Sequence, residues 1–221
     1  MQHINQRMSR FAMLLIGSLA LLQPSCQKSA EPSREDANRP NSIYTMEGVT
    51  GVASTSSSTG PVFCKTRDFC LWAGQTINSG KVVIGNDDEN LYVIINSLEG
   101  FQDVKENVKI WVGDDIDDLP ANKNGIPVPG QFPFKLTVDP TYTWYTVTIP
   151  FSSIKTSVPL DCSGKGLFIY VHVDAIAKKK GETAWGGDCL ADGPLKAQGR
   201  WYYNLSYSTG CCNTCNCKDV N

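Results

Sequence analysis

From Pro61 onward the chain is a succession of short runs rich in β-branched and aromatic residues: "KVVIGN", "NLYVIINS", "NVKIWVG", "FPFKLTV", "TWYTVTIP", "GLFIYVHVDA" and "RWYYNLSY". Such residues suit a pleated, half-buried surface and fit helices less well. Turn-forming clusters separate the runs: "NSG", "GNDDEN", "SLEG", "NKNG" and "GETAWGGD". No stretch of ten or more residues past Pro61 repeats its apolar positions at the three-and-four spacing of a helix. Strands at this spacing with no helices between them predict an all-β fold: an antiparallel, jelly-roll-like sandwich over 61–210.

Alternation within the runs sorts residues into faces. In "FIYVHVDA", Ile169, Val171, Val173 and Ala175 share one side of the strand, and Phe168, Tyr170, His172 and Asp174 share the other. In "RWYYNLSY", Trp201, Tyr203, Leu205 and Tyr207 oppose Tyr202, Asn204 and Ser206. The aliphatic face of the first run belongs in the core. Its mixed face is either a second core layer or a binding surface, which makes Tyr170 and His172 candidate ligand contacts.

The N-terminus carries an address. Arg7 and Arg10 precede an apolar run from Phe11 to Leu22, too short to span a bilayer and suited to a signal-peptide core. Ser25 then precedes Cys26, and Leu22 to Cys26 resembles the lipobox of bacterial lipoproteins, although Gln23 and Pro24 depart from its usual residues. That resemblance implies a signal peptide over 1–25 and a fatty-acylated (palmitate-bearing) Cys26. The implied location is the cell surface or outer membrane, with the membrane reached through the lipid. Ordinary signal cleavage with a free Cys26 is the alternative. Residues 26–60, polar and ending in "TSSSTG", read as a flexible tether in which "SIYTMEGVTGVA" is an apolar patch able to dock on the domain.

Nine cysteines are an odd number, and acylation of Cys26 leaves eight: Cys64, Cys70, Cys162, Cys189, Cys211, Cys212, Cys215 and Cys217. The last four crowd into the tail at 211–221. They could form a zinc clamp, a redox pair or disulfides. An exported chain meets oxidants, so disulfides are expected. Neighbouring Cys211 and Cys212 should seek separate partners, because joining them closes a strained ring. Four tail cysteines stitched to four body cysteines is the simplest expectation.

The loop "LPANKNGIPVPGQFPF" is stiff with proline, and "KKKGETAWGGD" sets Glu182 and Trp185 among glycines. Together with "NLYVIIN" and "YVHVDA", these segments resemble small secreted or surface β-sandwich modules of bacteria, mostly uncharacterised. The resemblance spans roughly Leu71 to Tyr207. It implies an extracytoplasmic β-sandwich and no known reaction.

Three chemistries compete. With a net charge of −2 and no basic block, the chain is not expected to bind nucleic acid. Non-catalytic recognition of a glycan or a protein would use Glu182 and Trp185, an indole to stack a sugar and a carboxylate to take its hydroxyls, with His172 and Tyr170 nearby. A polysaccharide hydrolase would pair Glu182 with an aspartate; no Gly-x-Ser-x-Gly elbow is present, and catalytic residues are expected to be absent. A metal-sequestering protein would use the tail thiolates. No cofactor is expected beyond a possible structural calcium at Asp114, Asp115 and Asp117, whose competing reading is a solvated acidic turn. The recognition module is the preferred reading.

Overall fold

The computed structural model describes the backbone of 42–46 and 49–53, and residues 63–197 and 199–212. The expected signal peptide, Cys26, most of the tether, and Cys215 and Cys217 lie outside the described residues. Among the described residues there are thirteen strands: β1 (Ser42–Met46), β2 (Val49–Ala53), β3 (Lys65–Ala73), β4 (Ile77–Asn86), β5 (Asn90–Ser97), β6 (Val108–Gly113), β7 (Phe134–Leu136), β8 (Trp144–Pro150), β9 (Gly166–Ala177), β10 (Lys180–Gly187), β11 (Leu195–Ala197), β12 (Arg200–Tyr202) and β13 (Leu205–Ser208). Single 3-10 turns at Ile116–Asp118, Pro129–Gln131 and Phe151–Ser153 are the only helical elements among the described residues. The fold is all-β and antiparallel.

Eleven strands join in one sheet in the order β1-β2-β8-β5-β4-β3-β10-β9-β6-β7, with β13 added alongside the start of β9. The patch within the expected tether supplies β1 and β2, and β2 pairs with β8 through Thr50, Gly51 and Val52.

One apolar cluster shows that the sheet curls on itself. Val147 of β8 and Ile110 of β6 belong to the same buried cluster, although six inter-strand steps separate their strands. Laid flat at about 4.8 Å per step, the two strands would stand roughly 29 Å apart. Curling brings the inward residues of β3 to β10 and β13 around a common core, with Leu71, Val82, Ile84, Val93, Ile169 and Val171 fully buried. The faces that meet across this core belong to one half-barrel sheet.

Two expectations need correction. "GETAWGG" is not a loop but β10, a central strand paired with β9 on one side and β3 on the other. The turn lies earlier, at Lys178 and Lys179, whose φ values are 51° and 62°. A two-residue hairpin of this kind normally takes Asn-Gly, because left-handed backbone crowds a Cβ. Here the Glu99 carboxylate accepts hydrogen bonds from the amides of Lys178 (2.9 Å) and Lys179 (2.7 Å), which offsets the strain. The second correction concerns "RWYYNLSY". It breaks at Tyr203–Asn204 into β12 and β13, so Leu205 and Tyr207 enter the core while Trp201 and Tyr203 join an aromatic cluster elsewhere.

Among the described residues three disulfides staple this body: Cys64–Cys212, Cys70–Cys189 and Cys162–Cys211. Cys211 and Cys212 do take separate body partners. Cys70 and Cys189 pair with each other instead of with the tail, because Gly187 is the register partner of Cys70 and Cys189 follows two residues later. The four-to-four stitch therefore fails at Cys70 and Cys189, and no body cysteine remains for Cys215 or Cys217.

Candidate functional site

The second buried cluster lies on the outer face of the sheet. Cross-strand register sets Lys109, His172, Trp185 and Trp72 side by side across β6, β9, β10 and β3. Trp111, Phe132, Tyr170, Trp185 and Tyr203 are buried there, and Trp72, Phe168, Trp201 and Tyr202 pack on them half-exposed. Ring contacts run through the layer. Tyr170 meets Trp111 at 5.8 Å and Tyr202 at 6.2 Å, Trp185 meets Tyr202 at 6.3 Å, and Trp72 stacks on Tyr203 at 6.0 Å. Each such pair adds about 0.5–1.5 kcal/mol beyond burial, so the platform is stiff.

Small residues make room for it. A Cβ on Gly187 would lie 2.6 Å from the Tyr203 ring, and one on Gly113 would lie 2.7 Å from Trp111. Gly187 of "WGGD" and Gly113 of "WVGD" are thus seats for aromatic rings on the outer face, whereas Gly186 meets Leu205, Val171 and Val82 on the core side. The described residues of 188–203 lie over the sheet as a strap. It is fastened at its start by Cys70–Cys189 and by the Trp72 indole, which donates to the Asp188 carbonyl at 3.1 Å; at its end the Tyr203 hydroxyl donates to the Gln75 carbonyl at 2.8 Å. Two nearby cations of the sheet are paired: Lys109 with Asp174 at 2.8 Å, and Arg67 with Asp188 at 3.4 Å.

The sequence-derived site residues divide. Trp185 is 4% exposed and Tyr170 3%, so both underlie the surface and neither can stack a ligand directly. His172 is buried between them and Lys109. Glu182 is separated from Trp185 altogether. It is the register partner of core-facing Ala175, whereas Trp185 pairs with outward His172, so the two side chains leave opposite faces of β10. Their expected joint action on a sugar is excluded by the two-residue period of a strand, since positions three apart point oppositely. The surface residues that replace them are Trp72, Trp201, Tyr202 and Phe168. Alternation in "DFCLWA" carries the signal for Trp72, with Phe69, Leu71 and Ala73 facing the core.

The calcium candidates have protein partners. Asp114 pairs with Lys165 at 2.8 Å and accepts from the Ser157 amide and hydroxyl, and these bonds hold its carboxyl well below the usual range. Asp115 accepts from the Asp117 amide at 2.9 Å, capping the 3-10 turn, and the neighbouring Asp118 pairs with Lys155. Their oxygens serve different partners and do not converge. The tail-thiolate hypothesis loses two of its four ligands to the disulfides of Cys211 and Cys212.

A concavity of about 500 Å³ lies over loop 151–160, lined by Phe151, Ile154, Val158 and Leu160 among others. Its titratable residue, Lys155, is engaged by Asp118. Where carboxyl pKa values are displaced among the described residues, they move down. At Asp87 burial pushes upward, but hydrogen bonds from Tyr92, Glu89 and Asn90 outweigh it; at Asp139 and Asp161 hydroxyls of Thr141 and Ser163 lower the pKa. A glycosidic general acid needs the opposite displacement.

Compared with protein-family models, curated proteins and solved structures, the chain gives no match.

Proposed function

We propose that this chain is a lipid-anchored cell-surface recognition module that binds extracellular glycan through the aromatic face. The observation that carries the reading is the set of half-exposed rings, Trp72, Trp201, Tyr202 and Phe168, resting on a buried aromatic layer. Rings held rigidly at a surface lose little entropy on binding and offer flat apolar faces to the C–H faces of a sugar. On the sheet Lys109 and Arg67 are held in ion pairs by Asp174 and Asp188, and on the strap the exposed Lys196 and Arg200 stand beside Trp201. The anchor rests on the signal-like leader and on Cys26 in its lipobox-like setting. Hydrolysis is less well supported, because the displaced carboxylates are held ionised.

The test is binding of the purified chain to a panel of neutral polysaccharides, with Trp201→Ala and Tyr202→Ala alongside. Binding lost in both variants supports the reading. Undiminished binding removes the aromatic face, and no saccharide binding at all turns the surface toward a protein partner. Radiolabelled fatty acid incorporated by the wild type and not by Cys26→Ala tests the anchor separately.

A further inference from the structure

His172 is the histidine of the described body, in the middle of β9 under the aromatic layer. It is 8% exposed, and its Nδ1 is buried with no hydrogen-bond partner. Its ring meets Trp185 edge-to-face at 4.9 Å and 87°, and Trp185 in turn meets Phe132 at 6.4 Å and Tyr202 at 6.3 Å. Two ring contacts therefore link the imidazole to the exposed surface and to the strap.

The groups around His172 leave a charged imidazole without an anion of its own. From β6 comes Lys109, its register partner, and beyond it Lys135 of β7, paired with Glu106 at 3.6 Å. On β9 itself stand the Tyr170 phenol and Asp174, the latter already held by Lys109. From β10 come Thr183 and Trp185, which do not titrate; the turn Pro129–Gln131 brings Phe132, and β12 brings the Tyr202 phenol. Packing here suits a neutral ring.

We propose that His172 is an acid-operated latch for the aromatic face: taking up a proton breaks the packing of Trp185 and loosens Tyr202 from the sheet, while the ends of the strap stay fastened. Burial holds the imidazole pKa down to about 4; Asp174 works against this, and Lys109 adds to it. The latch is closed near neutrality and opens as the pH falls through that value. Its consequence, release of ligand in acid, rests on the glycan-binding reading, whereas the opening itself requires no ligand.

The experiment follows near-ultraviolet circular dichroism and tryptophan fluorescence of the full, oxidised chain from pH 7 to pH 3, for wild type and His172→Phe. Both proteins carry the same carboxylates, so the difference between the two curves reports the histidine. The expected result is a wild-type transition centred near pH 4 that is absent in the variant or at least about one pH unit lower. Coincident curves overturn the proposal. If His172→Phe does not fold, Lys109→Met decides. Removing the cation and freeing Asp174 should raise the midpoint by about one pH unit, and an unmoved midpoint overturns the latch. Failure of polysaccharide binding with the optical transition intact counts against the glycan reading alone.

Discussion

Asn86 and Gly210 hold each other by a reciprocal pair of hydrogen bonds: the Asn86 Nδ2 donates to the Gly210 carbonyl at 2.8 Å, and the Gly210 amide donates back to Oδ1 at 3.0 Å. The side chain thus imitates one step of an antiparallel ladder. Oδ1 also accepts from the Tyr207 hydroxyl at 2.6 Å, and Nδ2 also reaches the Asp87 carbonyl. The residue is fully buried, and the segment it holds leads directly into Cys211 and Cys212. Asn86→Ala leaves several buried groups without partners at about 1–3 kcal/mol each, partly relieved by water. The expected loss is roughly 2–4 kcal/mol, checked by urea denaturation of the oxidised protein.

Surface and support within the aromatic layer should separate under mutation. Trp185→Ala removes a buried indole and should cost about 3–5 kcal/mol of stability. Trp201→Ala and Tyr202→Ala touch half-exposed rings and should cost about 1 kcal/mol each while abolishing saccharide binding. Thermal denaturation beside a binding isotherm checks both halves of the expectation.

The hairpin at Lys178–Lys179 stores removable strain. Replacing the pair with Asn-Gly should stabilise the protein by about 1 kcal/mol, since those residues accept left-handed backbone readily. Glu99→Ala should destabilise the wild type, and less so the Asn-Gly variant, because the carboxylate compensates for strain that Asn-Gly removes. A double-mutant cycle measured by denaturant midpoint reads the coupling.

Disulfide mapping by mass spectrometry of the unreduced protein should return Cys64–Cys212, Cys70–Cys189 and Cys162–Cys211. Joint replacement of Cys70 and Cys189 by serine should leave the core protected. It should raise amide exchange across 190–202, since the bridge fastens the start of the strap.

His172 sets a sign for stability against pH. Its pKa falls from 6.5 in the unfolded chain to about 4 in the fold, so the unfolded state binds the proton first. Stability from this residue is complete above about pH 6.5 and declines as the pH drops, reaching its floor below about pH 4. The total is roughly 3 kcal/mol, and His172→Phe should flatten that part of the curve.

The strand alternation of β9 is legible in full: Ile169, Val171, Val173 and Ala175 face the core, and Phe168, Tyr170, His172 and Asp174 face outward. The all-β architecture follows from the same kind of local pattern. β10 is illegible because glycine reads as turn, and its role as a seat for Tyr203 depends on a residue 16 positions away. "NSG" misleads for a similar reason. Gly80 lies inside β4 at φ +149°, where a Cβ would strike the Asn96 carbonyl of β5. Glu182 and Trp185 look like neighbours in the sequence, yet strand geometry sends them to opposite faces. The aromatic platform draws on β3, β6, β9, β10, β12 and a proline-rich loop, and only tertiary pairing assembles it.

The Cys64–Cys212 bond closes a covalent ring between residues 148 apart, and everything from β3 to β13 lies inside it. Tension applied between the segment entering at residue 64 and the segment leaving at residue 212 would pass through one sulfur–sulfur bond. The core strands would carry none of that load. The body is mechanically shielded along this axis, and the hairpin β1–β2, outside the ring, would be the first structure to peel away under pull.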